Sequence, residues 1–298
     1  QSRVVDVCVV GAGPAGLAAA TEIARRAPDK TLLLVDDQAE PGGSWLARPD
    51  GTARAGRAVA EAYAAGVPLL SRATVIGFFP EDVDPAIEHR ADGDRFLRGT
   101  LAVATPDALL RVSARTIVYA TGAYDQNIAF LDNDGPGVVS ARACGRLAFR
   151  HGVKPGDRIA ILDEADHGEA LAAGLLAAQV DVVRIDTGRT RPVAAVGGAH
   201  LRGLDVVESD GREHRIPTDL IAVAATPAPA AELPRQHGAA LHFDAAGGGY
   251  AVQVDPTFRT SAAGIFACGD VTGYHGPAEA ALSGAAAGRE IAHTLLSS

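Results

Sequence analysis

Methionine is absent from the 298 residues, and cysteine and aromatic residues are scarce. The three cysteines lie far apart and form no C-x-x-C pair, which argues against a disulfide framework and against a metal or iron–sulfur cage. No apolar stretch reaches the roughly 20 residues that a membrane-spanning helix needs, so membrane insertion is not expected.

Runs of basic residues are also missing. The formal net charge is −9, and a nucleic-acid partner or an anionic membrane surface is therefore not expected. No secretory pattern precedes the first predicted strand at Val4, so we expect a cytoplasmic location. The length and the 47% hydrophobic content fit a globular protein of two domains.

The most informative stretch is VVDVCVVGAGPAGLAAATEIARRAPDKTLLLVDD, residues 4–37. Its first seven residues, Val4–Val10, predict a strand that is buried on both faces. Gly11, Gly13 and Gly16 follow at the G-x-G-x-x-G spacing and lead into a predicted helix. A second buried strand then ends on Asp36, twenty residues after Gly16.

Each part of this pattern has a mechanical role in dinucleotide binding. Gly11 permits the tight turn, Gly13 lets the backbone approach a pyrophosphate, and Gly16 lets the helix pack on the strand. The helix N-terminus attracts the phosphates, and Asp36 can accept hydrogen bonds from ribose hydroxyls while repelling a 2′-phosphate. The alternative is a glycine-rich turn that serves packing alone. We predict a dinucleotide site.

Two later strands end in conspicuous motifs, namely ATG at residues 120–122 and GD at residues 269–270. With these motifs the sequence resembles the large flavoprotein family that is built from two dinucleotide-binding domains and includes thioredoxin and glutathione reductases. The resemblance implies FAD as the cofactor, although NAD or ATP in the same site stays open. It also implies that Asp270 bonds the ribityl chain and that a helix beginning near Pro277 points at the flavin pyrimidine, whereas a plain helix cap is the alternative for Asp270.

The glycine pattern and the resemblance together give a set of expected cofactor-binding residues. These are Gly11, Gly13, Pro14, Ala15, Gly16, Asp36, Asp37, Gln38, Gly42, Gly43, Ser44, Val75, Thr121, Gly122, Gly269, Asp270, Pro277 and Ala278.

The resemblance also implies the fold class. We expect an α/β protein with two Rossmann-like three-layer domains, the second inserted into the first. The FAD-binding domain would comprise residues 1–125 and 247–298, and the inserted NAD(P)-type domain residues 126–246.

The inserted domain repeats the strand–turn–helix pattern without its glycines. In DRIAILDEADHGEALAAGLLAA the three glycine positions read Asp163, Ala165 and Gly168. One carboxylate about 4 Å from a phosphate costs on the order of 4 kcal/mol at an effective dielectric constant near 20. Asp163 and Glu164 therefore predict that the second domain holds no NAD(P). A bound cation or a cationic partner is the competing interpretation.

The redox disulfide of thioredoxin reductases is missing as well. In SARACGRLAF the two cysteine positions of that motif read Arg142 and Gly145, and Cys144 stands alone between them. One thiol cannot form an intramolecular disulfide. We expect Cys144 to be a buried thiol and the chain not to be a thioredoxin reductase.

Residues 120–162, which include NDGPGV and GVKPG, support a narrower resemblance. They are similar to the alpha subunits of heteromeric amine-oxidising flavoenzymes: sarcosine oxidase, proline and hydroxyproline dehydrogenases, opine oxidases and hydrogen cyanide synthase. The resemblance implies two partner proteins, which are a small iron–sulfur subunit and a catalytic flavoprotein beta subunit.

Three functional hypotheses remain at this stage. The first is an accessory redox component of an amine or imino-acid dehydrogenase, which relays electrons from the beta subunit but is not active alone. The second is a self-sufficient FAD oxidoreductase, and the third is a scaffold that holds its nucleotide structurally. His237 and His275 are lone histidines without a triad or metal pattern, so no catalytic residue is predicted.

Overall fold

The computed structural model describes residues 1–80 and 99–297, and the chain divides into two compact units. Unit 1 comprises Gln1–Gly43, Ala55–Ala123 and Pro229–Ser298, and unit 2 comprises Ser44–Arg54 and Tyr124–Ala228.

The strands and α-helices are given in chain order. The first part contains β1 (Ser2–Val10), α1 (Pro14–Arg26), β2 (Leu32–Val35), α2 (Gly51–Ala64), β3 (Leu69–Leu70), β4 (Thr74–Pro80), β5 (Gly99–Ala104), β6 (Leu109–Tyr119) and β7 (Ala123–Tyr124). The middle contains β8 (Val138–Ser140), α3 (Ala141–Gly145), β9 (Arg158–Asp163), α4 (Glu169–Ala177), β10 (Asp181–Asp186), β11 (Thr190–Val196), β12 (Gly203–Glu208), β13 (Glu213–Pro217) and β14 (Leu220–Ala224). The last part contains β15 (Ala228–Pro229), α5 (Glu232–Gln236), β16 (Leu241–Asp244), β17 (Gly249–Val252), β18 (Ile265–Ala267) and α6 (Pro277–Leu296).

Unit 1 is built on one sheet whose described strands follow the order β3-β2-β1-β6-β5-β4, with β18 paired to the second half of β6. β2, β1, β6 and β18 run parallel, whereas β4 and β5 form an antiparallel extension. Val7, Cys8 and Val9 are fully excluded from solvent, as expected for a central strand with both faces covered. The carboxyl ends of the parallel strands meet at one edge, where ligands of open α/β sheets bind.

Small residues allow α1 and α6 of unit 1 to pack backbone against backbone. A Cβ added to Gly284 would lie 2.1 Å from the carbonyl oxygen of Ala15, and one added to Gly288 would lie 2.6 Å from that of Ala19. Neither position has room for a methyl group. The abundance of alanine and glycine in these helices therefore reflects close packing.

Unit 2 contains the parallel sheet β10-β9-β14-β8 and the antiparallel sheet β11-β12-β13. Ile159, Ile161 and Leu175 share one buried cluster, while Leu162, Ile221 and Val223 belong to another, so both faces of the parallel sheet are covered. The predicted class of α/β Rossmann-like domains is confirmed, and the repeated strand–turn–helix–strand pattern is present as β9-α4-β10.

The division into units differs from the expected boundaries. The chain returns to unit 1 at Pro229 instead of near residue 247, and Ser44–Arg54 groups with unit 2. The reason for the earlier return is packing, because Ala231, Ala239 and Leu241 join the hydrophobic cluster beneath β1 and β6.

Candidate functional site

The turn between β1 and α1 requires glycine at two positions for internal reasons. Gly11 has a φ of +102°, and an added Cβ would lie 2.3 Å from the carbonyl oxygen of Ala120. At Gly16 an added Cβ would lie 1.7 Å from the carbonyl oxygen of Gly11. These two glycines therefore hold the first turn of α1 against the strand ends.

Gly13 is different. It is the N-cap of α1 with a φ of −78°, a value open to any residue. An added Cβ would find one described neighbour within 4 Å, the Cα of Gly43 at 3.8 Å. Neither backbone conformation nor packing among the described residues demands glycine here.

The loop after β2 folds over this turn. The backbone N–H of Gly42 donates to the carbonyl oxygen of Ala12 at 2.8 Å, and Gly43 has a φ of +53°. A Cβ added to Gly43 would lie 2.9 Å from the Cα of Gly13. The two glycine-containing segments thus come together, as expected.

Asp36 joins the end of β2 to the same turn. Its Oδ2 accepts from the backbone N–H of Ala12 at 2.5 Å, and its Oδ1 accepts from that of Gln38 at 2.8 Å. The side chain is 8% exposed. The predicted ribose-binding acid therefore lies at the glycine turn and also fixes its shape.

The remaining residues predicted near β2 and β4 are dispersed. Asp37 and Gln38 are exposed after β2, and Ser44 belongs to unit 2. Val75 is opposite Val103 in the β4–β5 pairing and lies in the hydrophobic cluster of unit 1.

The ATG motif lies at the carboxyl end of β6, beside the turn. The hydroxyl of Thr121 donates to the carbonyl oxygen of Ala230 at 2.7 Å, and the carbonyl oxygen of Gly122 accepts from the N–H of Ala230 at 2.9 Å. Gly122 has a φ of +75°, and no described atom lies within 4 Å of an added Cβ. Sequence reasoning missed Ala230 because it placed this segment in the other domain.

The GD motif follows β18 at the same edge. A Cβ added to Gly269 would lie 2.5 Å from that of Ala15, so this strand end contacts the first turn of α1. Asp270 is 5% exposed, and its Oδ1 accepts from the backbone N–H groups of His275 and Gly276 at 3.1 and 3.0 Å. Asp270 therefore supports the loop that enters α6.

Helix α6 begins at Pro277, the predicted position, with Pro277 buried and Ala278 exposed. The strand ends of unit 1 therefore bring the glycine turn, Asp36, the ATG motif, the GD motif and the start of α6 to one edge of one sheet. A backbone edge with a helix N-terminus and an acid is suited to a dinucleotide.

The corresponding turn of unit 2 is longer and closed by side chains. Five residues separate β9 from α4, whereas three separate β1 from α1. Gly168 is the N-cap of α4, so the expected alignment of Gly168 with Gly16 is wrong, because the two additional residues delay the start of the helix.

Carboxylates make the contacts within this longer turn. Oδ1 of Asp163 accepts from the N–H of Gly168 at 2.7 Å, and Oε2 of Glu164 accepts from the N–H of Thr226 at 2.7 Å. Asp163 is 2% exposed. Both acids are thus committed to the backbone of their own unit.

Arg184 on β10 was missed by sequence reasoning. Its guanidinium donates to Oδ2 of Asp163 and to Oδ1 of Asp166. The hydrogen bond with Asp163 is the main cause that raises the pKa of Arg184. A lone arginine in the strand VDVVRID, paired with the acidic turn, was the available indication of this contact.

The other groups considered from sequence have ordinary surroundings. Cys144 is fully buried in unit 2, and burial raises the pKa of its thiol to about 11. His275 is exposed. Within residues 1–80 and 99–297, no cluster of three or more His, Cys, Asp or Glu could hold a metal ion. In the same ranges, no helix combines the length and apolarity needed to cross a bilayer.

Two domain families match the chain. Residues 9–64 match the NAD(P)-binding Rossmann-like domain, and residues 157–287 match the pyridine nucleotide-disulphide oxidoreductase family. The first match begins near the end of β1 and includes the glycine turn and α1, and the second includes β9, α4 and β10. The chain thus carries dinucleotide-binding domains, and FAD or NAD(P) is the class of ligand that they support.

Several known proteins are similar to this chain in sequence or in structure. The alpha subunit of sarcosine oxidase from Rhizobium meliloti (strain 1021) is 34% identical over 244 residues, which cover 74% of this chain and 24% of the relative. An opine oxidase subunit of the same strain is 25% identical over 334 residues, covering 97% of this chain and 71% of the relative. The crystal structure of L-proline dehydrogenase from P. horikoshii superposes with a TM-score of 0.80 at 22% identity, covering 99% of this chain and 56% of that chain.

The lengths of these proteins differ greatly. The chain spans about a quarter of the sarcosine oxidase alpha subunit that it matches. Its counterpart in the solved structure is likewise part of a longer chain.

Proposed function

Because the chain belongs to the flavoprotein family built from two dinucleotide-binding domains, we propose that it is the FAD-binding, alpha-type component of a heteromeric flavin-dependent dehydrogenase or oxidase. Its substrate class would be an amine or imino acid resembling sarcosine, an opine or proline. It would relay electrons from a catalytic beta subunit. The names of the sarcosine oxidase and opine oxidase relatives support this class of reaction and the presence of partner subunits.

The observation that carries the proposal is the unexplained glycine at position 13. Gly11 and Gly16 are accounted for by φ and by packing, whereas Gly13 has an ordinary φ and open surroundings. A glycine without an internal reason at a helix N-terminus fits close approach by a ligand pyrophosphate. The residues of unit 1 therefore fit a dinucleotide.

The other predicted residues take roles by their position around Gly13. Asp36 would accept from the adenosine ribose, with Asp37 and Gln38 beside it, and the backbone of Gly42 and Gly43 would line the phosphate side. Val75 would contribute through its backbone, since its side chain faces the core. Thr121 and Gly122 would lie beside the ligand at the next strand end.

The GD motif and α6 favour FAD over NAD or ATP. Asp270 would hold the ribityl chain from the loop that it supports, while the start of α6 at Pro277 and Ala278 would present a positive dipole end to the flavin. FAD supplies reversible uptake of two electrons. The chain's contribution is to bind it, orient it and stabilise the negative charge that reduction places near the helix end.

The chain's own redox groups are consistent with dependence on a partner. Cys144 is a single thiol in the apolar core of unit 2, and a disulfide acceptor needs two. The turn of unit 2 carries acids where a nicotinamide dinucleotide would place its phosphates. Electrons would therefore enter or leave through another subunit, with iron–sulfur or flavin groups as the candidate carriers.

The first test identifies the ligand. The absorption spectrum of the purified chain should show bound flavin, and the released ligand should have the mass of FAD. The Gly13→Ala variant should fold but lose at least about 100-fold in FAD affinity, because its methyl group would stand where the pyrophosphate approaches.

Gly56→Ala is the matched control, since an added Cβ there meets no described atom within 4 Å and Gly56 lies within α2, outside the glycine turn. A colourless protein carrying NAD or ATP would overturn the electron-relay proposal. FAD binding by Gly13→Ala at wild-type strength would overturn the placement of the pyrophosphate.

The second test separates a relay from a self-sufficient enzyme. We expect candidate amines to bleach the flavin only when a beta subunit is present. Bleaching in the isolated chain would favour the self-sufficient oxidoreductase, and no bleaching under any pairing would favour the scaffold.

A further inference from the structure

The turn between β9 and α4 contains an ion pair between the buried carboxylate of Asp163 and the partly exposed guanidinium of Arg184, and the proposed function does not use it. We propose that the carboxylate of Asp163 is an internal substitute for a phosphate: it occupies the anion position at the start of α4, Arg184 holds it there, and unit 2 is thereby closed to dinucleotides. The inference concerns unit 2 alone and is independent of whether unit 1 binds FAD.

The first support is the way in which Asp163 is held. Its Oδ1 accepts from Gly168, the N-cap of α4, and its Oδ2 accepts from Arg184. The side chain is 2% exposed. A buried carboxylate that accepts from a helix-start N–H and pairs with arginine makes the same kinds of contact as a bound phosphate.

The second support is that the next N–H is committed as well. The backbone N–H of Glu169, the first residue of α4, donates to the carbonyl oxygen of Asp166 at 3.2 Å. Ala165 and Asp166 reach this arrangement with φ values of +51° and +63°, a conformation that costs a non-glycine residue roughly 1–2 kcal/mol. The turn is therefore shaped to satisfy its own helix start.

The third support is charge. Arg184 contacts both Asp163 and Asp166, so its positive charge is already matched by two carboxylates. A pyrophosphate approaching α4 would meet committed N–H groups and surplus negative charge. The acidic sequence of this turn allowed a bound cation as the competing interpretation. The positive group that pairs with these acids in the turn is Arg184 of the chain itself.

The proposal predicts a gain of binding on removal of Asp163. Asp163→Ala would leave the Gly168 N–H without its acceptor and Arg184 paired with Asp166 alone, and inorganic pyrophosphate should then occupy the vacated position. The measurement is amide hydrogen exchange followed by mass spectrometry on peptides covering residues 164–177, which reports on unit 2 locally even if pyrophosphate also binds unit 1.

In the wild-type chain, exchange in these peptides should not respond to pyrophosphate. Asp163→Ala should exchange about 10-fold faster, since a buried donor loses its acceptor, and millimolar pyrophosphate should restore most of the protection. Asp181→Ala is the control, because it removes an exposed, arginine-paired carboxylate of β10 outside the turn and leaves Asp163, Asp166 and Arg184 in place. The double variant Asp163→Ala with Arg184→Gln should lose the rescue.

Protection of the wild-type peptides by pyrophosphate would overturn the proposal, as would a folded Asp163→Ala variant that pyrophosphate does not protect. If Asp163→Ala does not fold, Asp163→Asn keeps an acceptor for Gly168 but removes the charge. Pyrophosphate should then protect Asp163→Asn through Arg184, and its failure to do so would refute the internal-anion role.

Discussion

The two strand–turn–helix units of this protein meet the same requirement in opposite ways. A helix that starts at the edge of a parallel sheet presents N–H groups and a positive dipole end. In unit 1 the turn is short, its glycines keep side chains away, and its acid, Asp36, comes from the next strand. In unit 2 the turn is two residues longer and its acid, Asp163, comes from the strand that leads into it.

Both turns contain an acid, so access to the helix start depends on which strand supplies the carboxylate. Asp36 approaches the turn from the side and bonds Ala12, ahead of the helix. Asp163 points at Gly168, the N-cap itself. An acid from the neighbouring strand leaves the helix start accessible to a ligand. An acid at the end of the strand that leads into the turn occupies the helix start itself.

The largest effect on stability is expected for Gly16→Ala in unit 1. The added methyl would lie 1.7 Å from the backbone oxygen of Gly11, and backbone cannot move aside as a side chain can. We expect a loss above about 3 kcal/mol in the free energy of unfolding of unit 1, measured by urea denaturation.

Gly13→Ala in the same turn should leave that free energy within about 1 kcal/mol of wild type. Equal destabilisation by the two substitutions would contradict the distinction between a packing glycine and a ligand glycine.

A smaller expected effect concerns the pH dependence of stability in unit 1. His237 in unit 1 stacks on Phe78 with ring centroids 3.6 Å apart, and its Nδ1 lies 3.1 Å from the hydroxyl of Tyr119. Burial lowers the pKa of His237 from 6.5 to about 4. Between these two values the unfolded chain binds a proton that the folded unit does not, so stability falls as the pH drops from 6.5 towards 4 and is retained above 6.5.

Allowing for partial exposure, the effect is on the order of 1–2 kcal/mol. Hydrogen exchange of β6 should show it, and His237→Gln, which keeps a partner for Tyr119, should remove that component. A β6 profile that is identical in both proteins across this range would exclude His237 as its source.

The smallest expected effect is at Ala165 in unit 2. Its left-handed φ of +51° disfavours alanine, while glycine loses more chain entropy on folding. The balance predicts that Ala165→Gly stabilises unit 2 by less than about 1 kcal/mol. Fluorescence of Trp45, the single tryptophan and a residue of unit 2, can follow the unfolding midpoint, and a lower midpoint would argue against backbone strain in this turn.

Much of unit 1 could be predicted because its site is encoded locally. The spacing of Gly11, Gly13 and Gly16 and the acid at Asp36 are each recognisable from a few neighbouring residues, whereas the start of α6 at Pro277 was implied by the resemblance to the flavoprotein family. Steric limits at glycine and the missing N–H of proline act within one turn of chain. The buried state of Cys144 followed from the residue type, because a free cysteine behaves as a small apolar residue.

The features in which the structure differs from the sequence-based expectation depend on contacts between residues that are distant in the sequence. The return to unit 1 at Pro229 is decided by the packing of Ala231 and Ala239, and alanines fit either core equally well by composition. The role of Arg184 depends on the parallel pairing of β9 and β10, which brings it to Asp163 twenty-one positions away in the sequence. Sequence spacing alone cannot distinguish such an arginine from a solvated one.

The contact of α1 with α6 has a consequence for the order of assembly during synthesis. Ala15 and Ala19 touch Gly284 and Gly288, residues that leave the ribosome long after the glycine turn. Unit 2 lies between these segments in the sequence and is complete by Ala228, so it can fold while the last strand and helix of unit 1 are still being made. Non-local contacts of this kind form late. The glycine turn, although synthesised well before α6, gains its rigid support only when α6 arrives.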